Sequence, residues 1–231
     1  FVQETTVFRE FGPLAGNTVQ ATYQFAPKFG NSVTRQTVDG DARLYQRLGG
    51  SGVLALQARG FRSWGRNPDY MYFGGNSEMR GYDYLQFIGQ RAFFLNAELR
   101  FPFIEAMLTP LGVLGGVRGV FFADAGGASF AGQPFSFLSR STEVRTPVTF
   151  DRLTGDPING TPRTVSGLRL VDGRASYGVG VETFLLGFPL HFDWAWRTLL
   201  NRDWEDVVFA SQGGSASFRK PRFQMWIGYD F

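Results

Sequence analysis

The 231-residue chain contains no cysteine, a single histidine and no apolar run long enough to form a membrane helix. Without cysteine there can be no disulfide staples, zinc-thiolate centres or cysteine nucleophiles, and a periplasmic or outer-membrane location is permitted. The charge-free candidate near residues 106 to 117 is broken by Pro110, Gly112, Gly115 and Gly116. A transmembrane helix is therefore excluded. Net charge is only +3. Despite a pI of 9.4, the cations are scattered along the chain, so no basic patch suits nucleic acid. The chain opens Phe1-Val2-Gln3-Glu4 with no initiator Met, basic n-region or apolar h-region. It is read as the C-terminal portion of a longer protein, with residues 1–231 belonging to one domain.

What is abundant is glycine, at 30 residues, and phenylalanine, at 25. With 43% hydrophobic residues and a mean hydropathy of -0.13, the chain has the composition of an ordinary soluble protein. A membrane barrel has the same average, because lumen-facing polar residues dilute the lipid-facing ones.

Patterning separates the two. Val19, Ala21, Tyr23 and Phe25 alternate with Gln20, Thr22 and Gln24, the period-2 signature of a strand whose faces meet different surroundings. A weak strand over residues 1 to 11 and a turn at Gly12-Pro13-Leu14-Ala15-Gly16 precede it. Further strands are expected over residues 38 to 48, 51 to 64, 90 to 103, 113 to 127, 174 to 185, 188 to 197 and 222 to 231. Charges mostly keep to one side: Leu95, Ala97, Leu99 and Phe101 oppose Asn96, Glu98 and Arg100, and Phe121, Ala123 and Ala125 oppose Phe122, Asp124 and Gly126.

Three features favour a transmembrane barrel over a soluble sandwich. Long connections (65 to 89, 128 to 172, 200 to 219) alternate with short ones (12 to 16, 49 to 50, 104 to 112, 187 to 188), which gathers the long loops at one end. The strands run to about 10 to 13 residues, enough to cross a bilayer at a tilt. Aromatic residues Trp64, Tyr70, Tyr72, Trp194, Trp196, Tyr229 and Phe231 fall near strand ends or on the apolar face, as interfacial girdles do. The fold class expected is all-β: an antiparallel transmembrane β-barrel, with about nine strands present here. The segments 128 to 172 and 200 to 219 are expected as exposed loops without regular structure.

The loop Gly74-Gly75-Asn76-Ser77-Glu78-Met79-Arg80-Gly81-Tyr82 is the stretch on which function turns. Its Met79-Arg80-Gly81-Tyr82 resembles the arginine-glycine-aromatic loop motif of the BamA-like bacterial surface antigen superfamily, with Met79 in place of the usual Val or Ile. Phe122-Ala123-Asp124-Ala125-Gly126 resembles that superfamily's Phe-x-Asp-x-Gly strand motif, and Asn96 to Pro102 resembles the acidic strand before it. Residues Phe223, Met225, Ile227, Tyr229 and Phe231 are similar to a C-terminal assembly signal ending in Phe. The likeness runs from about residue 51 to the end. It implies a barrel of about 16 strands in the bacterial outer membrane, barrel-protein insertion or polypeptide translocation as the work, and no enzymatic activity. It also implies that the loop folds into the lumen with Arg80 held by Glu98 and Asp124. The residues agree: a guanidinium inside a barrel is costly unless paired, and its planar fork suits carboxylates. Phe122 shares a face with Asp124 and can stack on Arg80 or Tyr82. Gly74, Gly75 and Gly81 give the loop room to turn.

Other chemistry finds little footing. His191 and Asp193 share a lumen face, but residues two apart on a strand rarely make a dyad, and no motif supplies a serine. Asp151, Asp156 and Asp172 lack calcium-loop spacing, so no metal or cofactor is expected. The expected partners are outer-membrane lipid, client polypeptides and an upstream or accessory periplasmic protein. Two other readings stay open: a barrel anchoring an upstream soluble domain, and a porin-like channel.

Overall fold

The computed structural model describes residues 1–9, 12–30, 32–109, 112–185 and 188–228. Its strands are β1 (Val2–Glu4), β2 (Val7–Arg9), β3 (Gly12–Ala26), β4 (Arg35–Leu48), β5 (Gly52–Gly65), β6 (Met71–Phe73), β7 (Phe87–Gly89), β8 (Arg91–Thr109) and β9 (Gly112–Ser129). They continue with β10 (Leu138–Arg145), β11 (Val148–Phe150), β12 (Pro157–Asn159), β13 (Arg163–Leu170), β14 (Arg174–Leu185), β15 (Phe188–Thr198) and β16 (Arg222–Ile227). Two short helices, α1 (Arg202–Val208) and α2 (Gly214–Phe218), lie before the last strand.

One long antiparallel sheet runs β1-β3-β4-β5-β8-β9-β14-β15-β16, with β2 also on β3. Since β1 and β2 are two pieces of one strand beside β3, the described residues form a wall of nine staves that is not closed on itself. Consecutive staves pair with consecutive staves, a meander in which every barrel connection is local.

The sheet is inverted relative to a soluble protein. Leu95 is 45% exposed, Phe121 52% and Met225 61%, whereas Asn96, Glu98, Asp124 and Asp193 are each 3% exposed or less. Apolar side chains thus cover the outside, and the polar face is enclosed. A soluble sheet buries the other face, because transfer of apolar area out of water drives its folding. Here that area is left for lipid. Trp64, Tyr70 and Tyr72 stand exposed at the end of the wall that carries the long loops, and Trp196 stacks on Tyr177 at 6.1 Å on the outer face.

Four expectations need correction. Gly12 to Gly16 is not a turn but the start of β3, where Pro13 pairs with Phe8 beside a register shift. An irregular edge tolerates proline because the missing N–H breaks no regular ladder. Residues 104 to 112 are not a connection either: β8 runs to Thr109 and β9 begins at Gly112, and a register shift between Pro102 and Ile104 destroys the alternation that would have revealed it. The segment after β9 is not structureless, because β10 pairs β13 over eight residues and β11 pairs β12 within it. The last loop is helical, with Asn201 capping α1 by accepting the Trp204 N–H. The turn expected at residue 187, and Tyr229 and Phe231 of the C-terminal segment, lie outside the described residues.

Candidate functional site

The connection from β5 to β8 enters the enclosed face as a miniature hairpin. Met71–Phe73 pairs Phe87–Gly89, and the tip between them is pinched by a Gly75–Met79 bridge. Gly74 and Gly75 hold positive φ and lie against the backbones of Asp83 and Tyr84, so side chains there would collide. Met71, Phe73, Met79 and Tyr82 pack with Ala92 and Phe94 of β8 into a core inside the wall. The loop is thereby a plug with its own apolar anchor, and Met79 is part of that anchor, fully buried.

Arg80 is carried by this anchor to the middle of the polar face. Its Nε donates to Asp124 Oδ2 at 2.9 Å and its Nη2 to Asp124 Oδ1 at 2.7 Å, a two-pronged clasp. Its Nη1 donates to Glu98 Oε1 at 2.6 Å, and its backbone N–H to Asp124 at 3.0 Å. The guanidinium carbon lies 3.7 Å from the centre of the Phe122 ring. Phe122 therefore stacks on Arg80 and not on Tyr82. Burial opposes the charge on Arg80, but the two carboxylates outweigh it and raise its pKa well above the ordinary arginine value.

The other oxygen of Glu98 accepts from Arg100 Nε at 2.7 Å. Two guanidiniums and two carboxylates thus form a neutral buried quartet. Asn96 completes it, donating to Asp124 at 3.0 Å and to the loop carbonyl of Glu78 at 2.8 Å. Arg100 and Asn96 were not singled out from the sequence. Their signal was the strand parity shared with Glu98.

The motif glycines have steric reasons. A Cβ on Gly126 would lie 3.1 Å from the Phe73 ring and 2.8 Å from the Phe93 carbonyl, so a side chain there would push the plug off β9. Gly81 holds φ +85, and its added Cβ would meet Ala195 at 3.0 Å. Gly178, which no motif marked, leaves room for Phe122: a Cβ there would meet the Phe122 ring at 2.4 Å.

Beyond Arg80 the loop reaches the last strand. Gln224 of β16 accepts the Gly81 N–H at 2.6 Å and donates to the Tyr82 carbonyl at 3.2 Å. Arg222 donates to the Gly81 carbonyl at 3.1 Å and pairs Asp83 at 2.7 Å. The Tyr82 hydroxyl donates to the Ala175 carbonyl at 3.1 Å, and burial raises its pKa, keeping it a neutral donor. On the opposite face of β16, Phe223, Met225 and Ile227 are exposed and pair Trp194, Phe192 and Leu190 in register.

His191 lies parallel to the Trp226 ring at 3.7 Å, with Nε2 2.7 Å from the Gly228 carbonyl and Nδ1 3.5 Å from Glu182. Asp193 accepts from Trp226 Nε1 at 2.8 Å. Arg118 also pairs Glu182. Asp151 and Asp172 accept backbone N–H groups of their own loop. Among the described residues no group of three His, Asp or Glu is arranged to hold a metal ion.

A meander of long strands with its polar face enclosed, its apolar face outside and a plug clasped within is the wall of a membrane-barrel protein. The chain belongs to the Omp85 superfamily, whose domain model matches residues 6–231. At the level of that superfamily, members are outer-membrane proteins and the domain serves outer-membrane protein insertion or translocation. A search of the curated proteins finds no match to this chain.

Proposed function

We propose that the chain is the C-terminal part of a BamA-like outer-membrane barrel that inserts barrel proteins or moves polypeptide, with Arg80, Glu98 and Asp124 as the latch positioning its plug. The observation that carries this reading is that one loop is bonded at once to β8, β9 and the terminal strand β16. A plug so held fixes the relative position of staves that no direct pairing joins. No step of this work needs a catalytic residue, and the activity is read as non-enzymatic. The partners are the outer-membrane lipid, an unfolded client polypeptide, and an upstream or accessory periplasmic protein that delivers it; nucleic acid has no part.

Full-length protein reconstituted in lipid vesicles should insert an unfolded barrel client or admit a secreted polypeptide. Arg80→Ala should lower the rate about tenfold or more, the scale of losing a charge-assisted clasp. Full activity in a folded Arg80→Ala barrel would remove the latch from the mechanism. Two rival outcomes have distinct readouts. A porin-like channel would conduct small ions steadily in planar bilayers, with the plug in place. An anchoring barrel would leave client insertion absent while an upstream domain keeps its own activity.

A further inference from the structure

The outer face carries two arginines where a membrane wall has least use for them. Arg62 of β5 and Arg91 of β8 are direct cross-strand partners on the apolar side, near the end that carries the long loops. Both are exposed, and among the described residues neither has a carboxylate within ion-pairing distance; Arg62 leans over Trp64 at 5.6 Å. Like charges directly opposite one another destabilise a sheet, so the pair calls for an anion between them.

Directly below lies a groove of about 730 Å³. Its floor is the rung Ala42·Ala58·Leu95·Ala125·Ala175, small side chains on four of five adjacent staves. Phe137, just before β10, together with Leu138 and Leu170 of the β10–β13 hairpin, forms its roof, and Phe137 packs edge-on against Phe93 at 5.2 Å. Between the arginines and the floor sit Gly40 and Gly60, where an added Cβ would meet nothing nearer than 4.0 Å. The path from Arg62 past Gly60 to Leu56 is open and apolar. Six strand residues cover about 20 Å along the stave and about 15 Å along the bilayer normal at the usual tilt. That is half of a roughly 30 Å hydrocarbon core, the depth of one leaflet.

We propose that this surface binds a phosphorylated lipid of the outer leaflet, its phosphate bridging Arg62 and Arg91 and one acyl chain dropping over Gly60 into the alanine-floored groove. Charge complementarity selects the headgroup, since two guanidinium forks match phosphate oxygens. The groove selects a lipid over a free anion. The inference rests on the membrane reading but is separable from it: protection of the barrel from protease in neutral phosphatidylcholine vesicles reports insertion alone.

The test is native mass spectrometry of the full-length protein, delipidated in a neutral detergent and titrated with a diphosphorylated, multiply acylated disaccharide lipid, its dephosphorylated form, or inorganic phosphate. One phosphorylated lipid should be retained. The paired variant Arg62→Gln with Arg91→Gln should weaken it about tenfold or more, and Ala58→Phe, which fills the groove and leaves both charges, should weaken it similarly. Equal retention of the dephosphorylated lipid, indifference to Ala58→Phe, or inorganic phosphate binding as tightly as the lipid would each overturn the proposal. Protease protection in phosphatidylcholine should be the same for all three proteins.

Discussion

Gln224 meets the Gly81–Tyr82 peptide as a neighbouring strand would, accepting the N–H on one side at 2.6 Å and donating to the carbonyl on the other at 3.2 Å. One side chain of β16 thereby satisfies two backbone groups of a loop more than a hundred residues earlier. Gln224→Leu should leave both unmet in an enclosed setting and weaken docking by about 1–3 kcal/mol. Hydrogen exchange should then rise at residues 79 to 83 while β8 and β9 stay protected. Unchanged exchange at those residues would mean the contact contributes nothing.

The clasp on Arg80 is unequal. Asp124 takes three of its hydrogen bonds and Glu98 one. Asp124→Asn should therefore release the loop, at a cost of about 3–5 kcal/mol typical of breaking a buried pair. Arg80→Lys keeps the charge but loses the fork, and should recover only part of the docking. Limited proteolysis at residues 74 to 82 reads both variants, and a Lys variant as resistant as wild type would show that charge alone suffices.

Gly178→Ala brings a methyl carbon to within 2.4 Å of the Phe122 ring and 2.2 Å of the Trp194 carbonyl. Overpacking of this kind costs about 1–3 kcal/mol, and here it should also tilt Phe122 off Arg80. Gly50→Ala, with open space around its added carbon, serves as the control. Thermal unfolding should separate the two variants.

Glu78 accepts the Gly74 N–H at 2.9 Å, and burial holds its pKa above the usual Glu value despite that bond and nearby Arg59. A carboxyl whose folded value is raised stabilises the docked loop fully below its unfolded value, about 4.3, and loses that contribution as pH climbs through the raised value. Loop protection should therefore fall as pH rises across that window. Glu78→Gln should flatten the dependence, and a wild-type profile that is already flat would contradict it.

Much of this was legible in the strands. Alternation such as Asn96-Ala97-Glu98-Leu99 assigns faces because two surroundings impose period two on any stave. The order of strands follows from a meander with local connections. Where a bulge slips the parity, as after Pro102, the signal ends before the strand does. Gly12, Pro13 and Gly16 carry turn chemistry that the β3 edge absorbs. The helices at Arg202–Val208 and Gly214–Phe218 were hidden because their stability comes from tertiary partners: buried Glu205 accepts the Leu199 N–H at 2.7 Å and pairs Arg219. Arg80 could be matched with Glu98 and Asp124 through their motifs, whereas Gln224 carried no mark. A glutamine on an alternating strand looks the same whether it faces water or a loop.

The neutral quartet of Arg80, Arg100, Glu98 and Asp124 is buried, so dissolved ions weaken it by screening far less than they weaken the partly exposed Asp39–Arg59 pair. The salt content of the surrounding water can vary from rainwater to brine. The plug should keep its seat through such changes, while the looser ionic contacts along the same cavity slacken and tighten with salinity.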